Sequence, residues 1–142
     1  MSVTDEQTSV LDEVSRELGI ENRWVEHGRV SWLATDKLKV REVAFAMKAR
    51  AARFVTITAT ELPGTEGFLL EYLWDLKGRL LGFPFHVTDN SIESIYDICE
   101  ASDWIEREIH EGYALEIVGR EYEPLLLRAR DKPGVNLREG VK

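Results

Sequence analysis

Three histidines, one cysteine and a dense run of carboxylates are the groups in this 142-residue chain that could ligate a metal, attack a substrate or move a proton. Carboxylates that share acid and base work must face one another, and the pairs Glu106/Glu108 and Glu108/Glu111 are the candidates. Residues two apart on a helix point to different sides, so these carboxylates read as a structural network. His27, His86 and His110 fall in three separate segments, and none belongs to a ligand pair such as H-x-x-x-H. Cys99 with a distant histidine would form a nucleophile pair, but no local catalytic signature accompanies it, and in a helix it is a small hydrophobe. A single cysteine also excludes an internal disulfide and a multi-cysteine metal or cluster site. Neither G-x-G-x-x-G nor a Walker-type phosphate loop occurs. No catalytic, cofactor-binding or metal-binding residue is expected.

The stretch that holds most of these groups is Cys99 to Tyr113, CEASDWIEREIHEGY. Wound as a helix at about 100° per residue, it places Ala101, Ile105, Glu108 and Gly112 on one face, with Trp104 and Ile109 at the edges. Glu108 then sits in an apolar stripe, and a buried carboxylate needs a partner, in this chain or in another. Asp103, Arg107 and Glu111 follow at i, i+4, so Arg107 can bridge two carboxylates along one ridge, with Glu106 across the helix. Trp104 suits a binding hot spot or a core position equally well.

Composition bounds the rest. An apolar fraction of 44% with 31% charged residues is ordinary for one globular domain. No apolar run approaches the ~20 residues of a membrane span, and the acidic N-terminus, MSVTDEQTSVLDEV, lacks the features of a signal peptide, so a cytoplasmic protein is expected. The net charge of −8 is concentrated: between Asp89 and Glu123, 11 acidic residues face only Arg107 and Arg120. Such a surface repels phosphate backbones, which argues against nucleic acid as a partner. Two basic clusters, Lys37 to Arg53 and Arg128 to Arg138, read as solvated faces or as groups that dock on the acidic block or on another subunit.

The elements that must position these groups follow in order. Thr4 and Gln7 suggest a capping box for a helix with Val10, Leu11, Val14 and Leu18 inward, closed by Gly19. Trp24 to Leu33 reads as a strand bent at His27-Gly28. Thr35 or Asp36 caps a second helix with Val40, Val43, Ala44, Met47 and Ala51 as its inner stripe. Phe54 to Ala59 is a strand, ended by Pro63-Gly64. Phe68 to Asp75 and Leu80 to Val87 form a hairpin through Lys77-Gly78, with Pro84 suggesting an edge arm. A short Ile92 to Ile98 segment leads into the acidic helix, Leu125 to Leu127 is a last apolar piece, and 128–142 is expected to be a mobile polar tail. The expected fold is α+β, one domain over 1–142, with an antiparallel or mixed sheet covered by helices.

Trp104-Ile105-Glu106-Arg107-Glu108-Ile109-His110-Glu111, followed by Tyr113, Gly119, Pro124 and Leu125-Leu126-Leu127, resembles the signature of the C-type hydrophilic subunit of NADH:quinone oxidoreductase, respiratory complex I. The equivalent small subunit of energy-converting membrane-bound nickel-iron hydrogenases is similar. Upstream, Asp36 to Arg53 running into Phe54-Val55-Thr56-Ile57-Thr58-Ala59, the pair Phe68 to Val87, and Ser94-Ile95-Tyr96-Asp97-Ile98 resemble the family's order of elements, so about 30–127 is covered. Departures are Gly112 for a large apolar residue, Ala114 where glycine is usual, and Arg120 for histidine or lysine, which bear on the loop after the helix. The short stretch after the signature is more similar to the hydrogenase form, with a short complex I subunit as the alternative.

The resemblance implies a non-catalytic, cytoplasmic subunit, peripheral to the inner face of the membrane and without a cofactor of its own. It would brace a large subunit, which holds nickel-iron or lines a quinone pocket, and an iron-sulfur small subunit. It implies Trp104, Glu106, Arg107, Glu108, Glu111, Tyr113 and Arg120 as partner-binding residues or their immediate support. The readings from other classes are a free-standing α+β interaction module and, more weakly, a hydrolase using Cys99 or His110.

Overall fold

The structure is a computed structural model in which residues 5–21, 23–34, 37–64, 66–121 and 125 are described. Its centre is the hairpin of β4 (Phe68–Leu76) and β5 (Arg79–Val87), paired without interruption from Phe68 opposite Val87 to Leu76 opposite Arg79. Strict alternation explains it: Phe68, Leu70, Tyr72, Trp74 and Leu76 are all buried, while the intervening residues are half-buried. At the tip, Lys77 (φ +53) and Gly78 (φ +87) both take left-handed backbone, the two-residue turn whose twist suits a hairpin.

Three further strands complete a mixed sheet in the order β1-β2-β5-β4-β3. β3 (Arg53–Glu61) pairs antiparallel with β4, and β2 (Val30–Trp32) pairs parallel with β5. The expected bent strand is instead a small hairpin of β1 (Val25–His27) and β2, because Gly28 (φ +58) and Arg29 (φ +68) form a full reversal. β5 is not an edge strand along its first half, since β2 covers Leu80 to Gly82. Pro84 is tolerated because it lies beyond the end of β2.

Helices α1 (Asp5–Leu18) and α2 (Val40–Ala49) contribute Leu11, Val14, Val40, Val43, Ala44 and Met47 to one core with the aromatic residues of the sheet. Within it, Trp74 meets Phe54 and Phe83 edge-on at centroid distances of 5.5 and 5.8 Å. Gly19 (φ +71) follows α1 as expected, whereas Thr4, Thr35 and Asp36 lie outside the described residues. α2 starts at Val40, with the Lys39 N–H donating to Glu42 Oε1 at 3.1 Å. Ala51 is exposed past the helix end at φ +57, so it does not belong to the inner stripe. Arg50 joins the two helices, pairing with Glu13 and Glu17 at 3.0 and 2.9 Å.

The acidic helix is carried by a second unit of the same domain. β6 (Ser91–Glu93) and β7 (Glu116–Val118) form a two-stranded parallel sheet, and the chain between them crosses over through a 3-10 turn (Glu100–Ser102) and α3 (Asp103–Tyr113). Ser94 N–H to Val118 O at 2.7 Å and Glu116 N–H to Asn90 O at 3.0 Å close this crossover at its base. The fold is therefore α+β, as the order of predicted elements implies, and of the two sheet types expected it has the mixed one. Of the final apolar piece only Leu125 is described, and the tail expected to be mobile lies outside the described residues.

Candidate functional site

Helix α3 turns a different face inward from the one its spacing suggested. Ser102, Glu106, Ile109 and Gly112 are buried, and half-buried Tyr113 meets the Phe68 ring edge-on at 5.4 Å. Glu108 is exposed, and Trp104 keeps 70% of its surface in solvent. The buried carboxylates are thus Glu106 and Glu111, and Glu106 lies well away from the expected stripe at ~100° per residue. The spacing misleads because Ala101 belongs to the 3-10 turn and not to the helix. A stripe centred on Ile109 and Tyr113 places Glu106 inside.

Glu106 is 1% exposed, and every partner it needs is in its own chain. Its Oε1 accepts from Ser94 Oγ–H at 2.7 Å and from Arg120 Nη1–H at 3.2 Å, while Oε2 accepts the Ile95 N–H at 2.8 Å. Such charge-assisted bonds are what make a buried carboxylate tolerable. The crossover explains the geometry: β6 delivers Ser94 and Ile95 beneath α3, and the residues after β7 bring Arg120 back over it. Arg120 stacks its guanidinium on the Tyr96 ring at 4.6 Å and also binds Asp103.

Asp103 accepts a second bond from Arg107 Nη1–H at 3.3 Å, so the Asp103 end of the expected bridge is present. Glu111 is buried and accepts the Leu125 N–H at 2.8 Å, which holds the chain after β7 against the end of α3. Arg41 of the first basic cluster joins the acidic block through a two-pronged pair with Asp97 at 2.7 and 2.8 Å, and it also donates to Ser94 O at 2.7 Å.

The hydrogen bond from Arg120 holds the Asp103 carboxyl below the usual carboxylate range, with the charges of Arg120 and Arg107 acting in the same direction. Burial alone would lower the Arg120 guanidinium, but the bonds to Asp103 and Glu106 outweigh it and leave it raised. A carboxylate depressed in the folded state contributes stability above its unfolded pKa, and this is lost as pH falls through the folded value. Thermal melts between pH 5 and pH 2 should therefore show an acid-side loss of stability that is smaller in Asp103→Asn, because Asn has nothing to protonate.

The remaining chemical candidates are dispersed. His110 Nδ1–H donates to Leu115 O at 2.8 Å, His86 Nε2–H donates to Glu66 O at 2.6 Å on β5, and His27 is exposed on β1. Burial pushes the Cys99 thiol up, the opposite of what a nucleophile needs. Among the described residues no group of three or more His, Cys, Asp or Glu could hold a metal ion. A cleft of about 190 Å³ lies between α3 and β7, lined by Glu106, Arg107, His110, Glu116, Ile117 and Arg120. Its Glu106 and Arg120 are already bonded to each other.

Ala114 ends α3 in left-handed backbone, φ +59, with its N–H donating to His110 O at 2.8 Å. A Cβ in that region costs roughly 1 kcal/mol or more, a cost that glycine avoids. Ala114→Gly should raise the melting temperature, with a gain of about 0.5–1 kcal/mol in denaturant titration.

With this geometry in hand, comparison with known proteins identifies a family. A family model described as respiratory-chain NADH dehydrogenase, 30 Kd subunit, matches residues 33–142. The chain belongs to that family. The match contains α3, Glu106 and Arg120, and it extends past the 30–127 covered by the sequence resemblance. A search of curated proteins finds no match. Among solved structures, a chain from the membrane-bound sulfane sulfur reductase, an archaeal respiratory membrane complex, is 17% identical with a TM-score of 0.71, covering 92% of this chain and 81% of its own. A trypsin-resistant fragment (1-134) of Nqo5 is 16% identical with a TM-score of 0.60, covering 82% of this chain and 98% of its own. At these identities the likeness is one of fold. This 30 kDa-family fold has no helix, among its described residues, long and apolar enough to cross a membrane.

Proposed function

We propose that this chain is a non-catalytic accessory subunit of a complex I-like, membrane-bound electron-transfer assembly, held at the cytoplasmic face by its sister subunits. The family match over residues 33–142 carries this reading. The arrangement of α3 agrees with it: Glu106 and Glu111 are bonded within the fold, and Trp104 and Glu108 face outward. In this reading Trp104 and Glu108 contact a partner, and Glu106, Arg107, Glu111, Tyr113 and Arg120 hold the helix that presents them. The chain braces a large subunit and an iron-sulfur small subunit, and the redox groups belong to those partners.

Affinity purification of the tagged chain from native membranes in mild detergent tests the proposal. Both sister subunits should be recovered in fixed ratio, with iron in the complex and none in the chain purified alone. Nickel in the complex assigns a hydrogenase-type assembly. NADH-driven quinone reduction without nickel assigns the NADH:quinone oxidoreductase type. Recovery of the chain alone would favour the free-standing interaction module and overturn the proposal.

A further inference from the structure

Helix α3 and the turn before it divide their carboxylates into two sets. Asp103, Glu106 and Glu111 are each bonded to groups of this chain. Glu100 and Glu108 are exposed, and neither carboxylate forms an ion pair or a hydrogen bond among the described residues. Glu108 follows Trp104 by one turn of α3, and Glu100 precedes it in the 3-10 turn that leads into the helix, so an exposed acidic residue flanks the indole on either side of this ridge. Trp104 at 70% exposure is the most exposed large apolar side chain of the described residues. An indole bracketed by two unneutralised carboxylates is the chemistry of a hot spot whose partner brings both an apolar pocket and positive charge.

We infer that this ridge docks into an apolar pocket rimmed by arginine or lysine on a sister subunit, with Trp104 in the pocket and Glu100 and Glu108 on the rim. Charge decides against a second copy as the occupant: a chain of net charge −8 repels itself. This inference rests on the proposed role as an assembly subunit.

The test is capture of the sister subunits from native membranes by the full-length tagged chain and its variants, with the melting temperature of each purified variant measured alongside. Trp104→Ala should weaken capture by at least about 30-fold and leave the melting temperature unchanged, because the side chain is outside the core. Glu100→Lys combined with Glu108→Lys should weaken capture more than the matching Gln pair, and the wild-type complex should loosen as salt rises. Wild-type capture by Trp104→Ala, or undiminished capture by the double charge reversal, overturns the inference and leaves the subunit role standing. Failure of the wild-type chain to capture any sister subunit overturns both. A dimer in sedimentation that Trp104→Ala dissolves would make a second copy the occupant and overturn the choice of partner.

Discussion

Glu106→Ala is expected to destabilise the isolated chain by about 3–5 kcal/mol, the usual loss when one member of a buried, hydrogen-bonded charge group is removed. The carboxylate is 1% exposed and satisfies three donors from two places in the sequence: the Ser94 hydroxyl and the adjacent Ile95 N–H, and Arg120. Alanine leaves the Ser94 hydroxyl proton and the Ile95 N–H without acceptors, each costing about 1–3 kcal/mol. It also strips Arg120 of one of its two carboxylates. Glu106→Gln keeps the shape and one accepting oxygen, but it places an NH₂ against donors, so about half the loss is expected. Because typical domains are stable by only ~5–15 kcal/mol, the alanine variant should melt well below wild type. At ~3–4 °C per kcal/mol for a chain of this size, differential scanning calorimetry should register a fall of roughly 10–15 °C. A fall of under ~3 °C would mean that solvent already shares this carboxylate.

Gly67→Ala is the second large effect, and its cause is backbone against backbone. Gly67 has φ +93, and a Cβ there would lie 2.0 Å from the Val87 carbonyl oxygen and 3.0 Å from its carbon. No side-chain rotation relieves such a contact, so either the loop or the open end of the β4–β5 hairpin must shift. Left-handed strain of roughly 1–2 kcal/mol adds to an overpacking cost of about 1–3 kcal/mol, and a loss near 2–4 kcal/mol is expected in urea titration. Gly64→Ala is the matched control, since φ is +64 there with nothing within 4 Å of the added methyl. It should show the backbone strain alone. The displacement at Gly67 also reaches α3, because the next residue, Phe68, is the ring on which Tyr113 packs.

These two positions illustrate what the sequence could reveal. The β4–β5 hairpin was legible because alternation over nine residues and Lys77-Gly78 point to the same register. The small β1–β2 hairpin was not, since one residue of its turn is Arg29, which hides the positive φ that glycine or asparagine would advertise. Pro84 suggested an edge, but register alone tells where β2 stops alongside β5. In α3 the residue types were legible and their phase was not. A glutamate becomes an inward residue only through partners 12 and 14 residues away in sequence, Ser94 and Arg120, and such closure depends on the β6–β7 crossover. Gly67 carried no warning at all, because the oxygen that forbids a side chain there belongs to Val87, 20 residues later.

Labour is divided across α3, with Glu106 serving the fold and Trp104 serving assembly. The most direct measurement is the melting temperature of the purified chain carrying either Glu106→Gln or Trp104→Ala. A drop of roughly 5 °C or more is expected for Glu106→Gln, at ~3–4 °C per kcal/mol, and no change for Trp104→Ala. The reverse order, with Trp104→Ala the destabilised variant, would contradict this division.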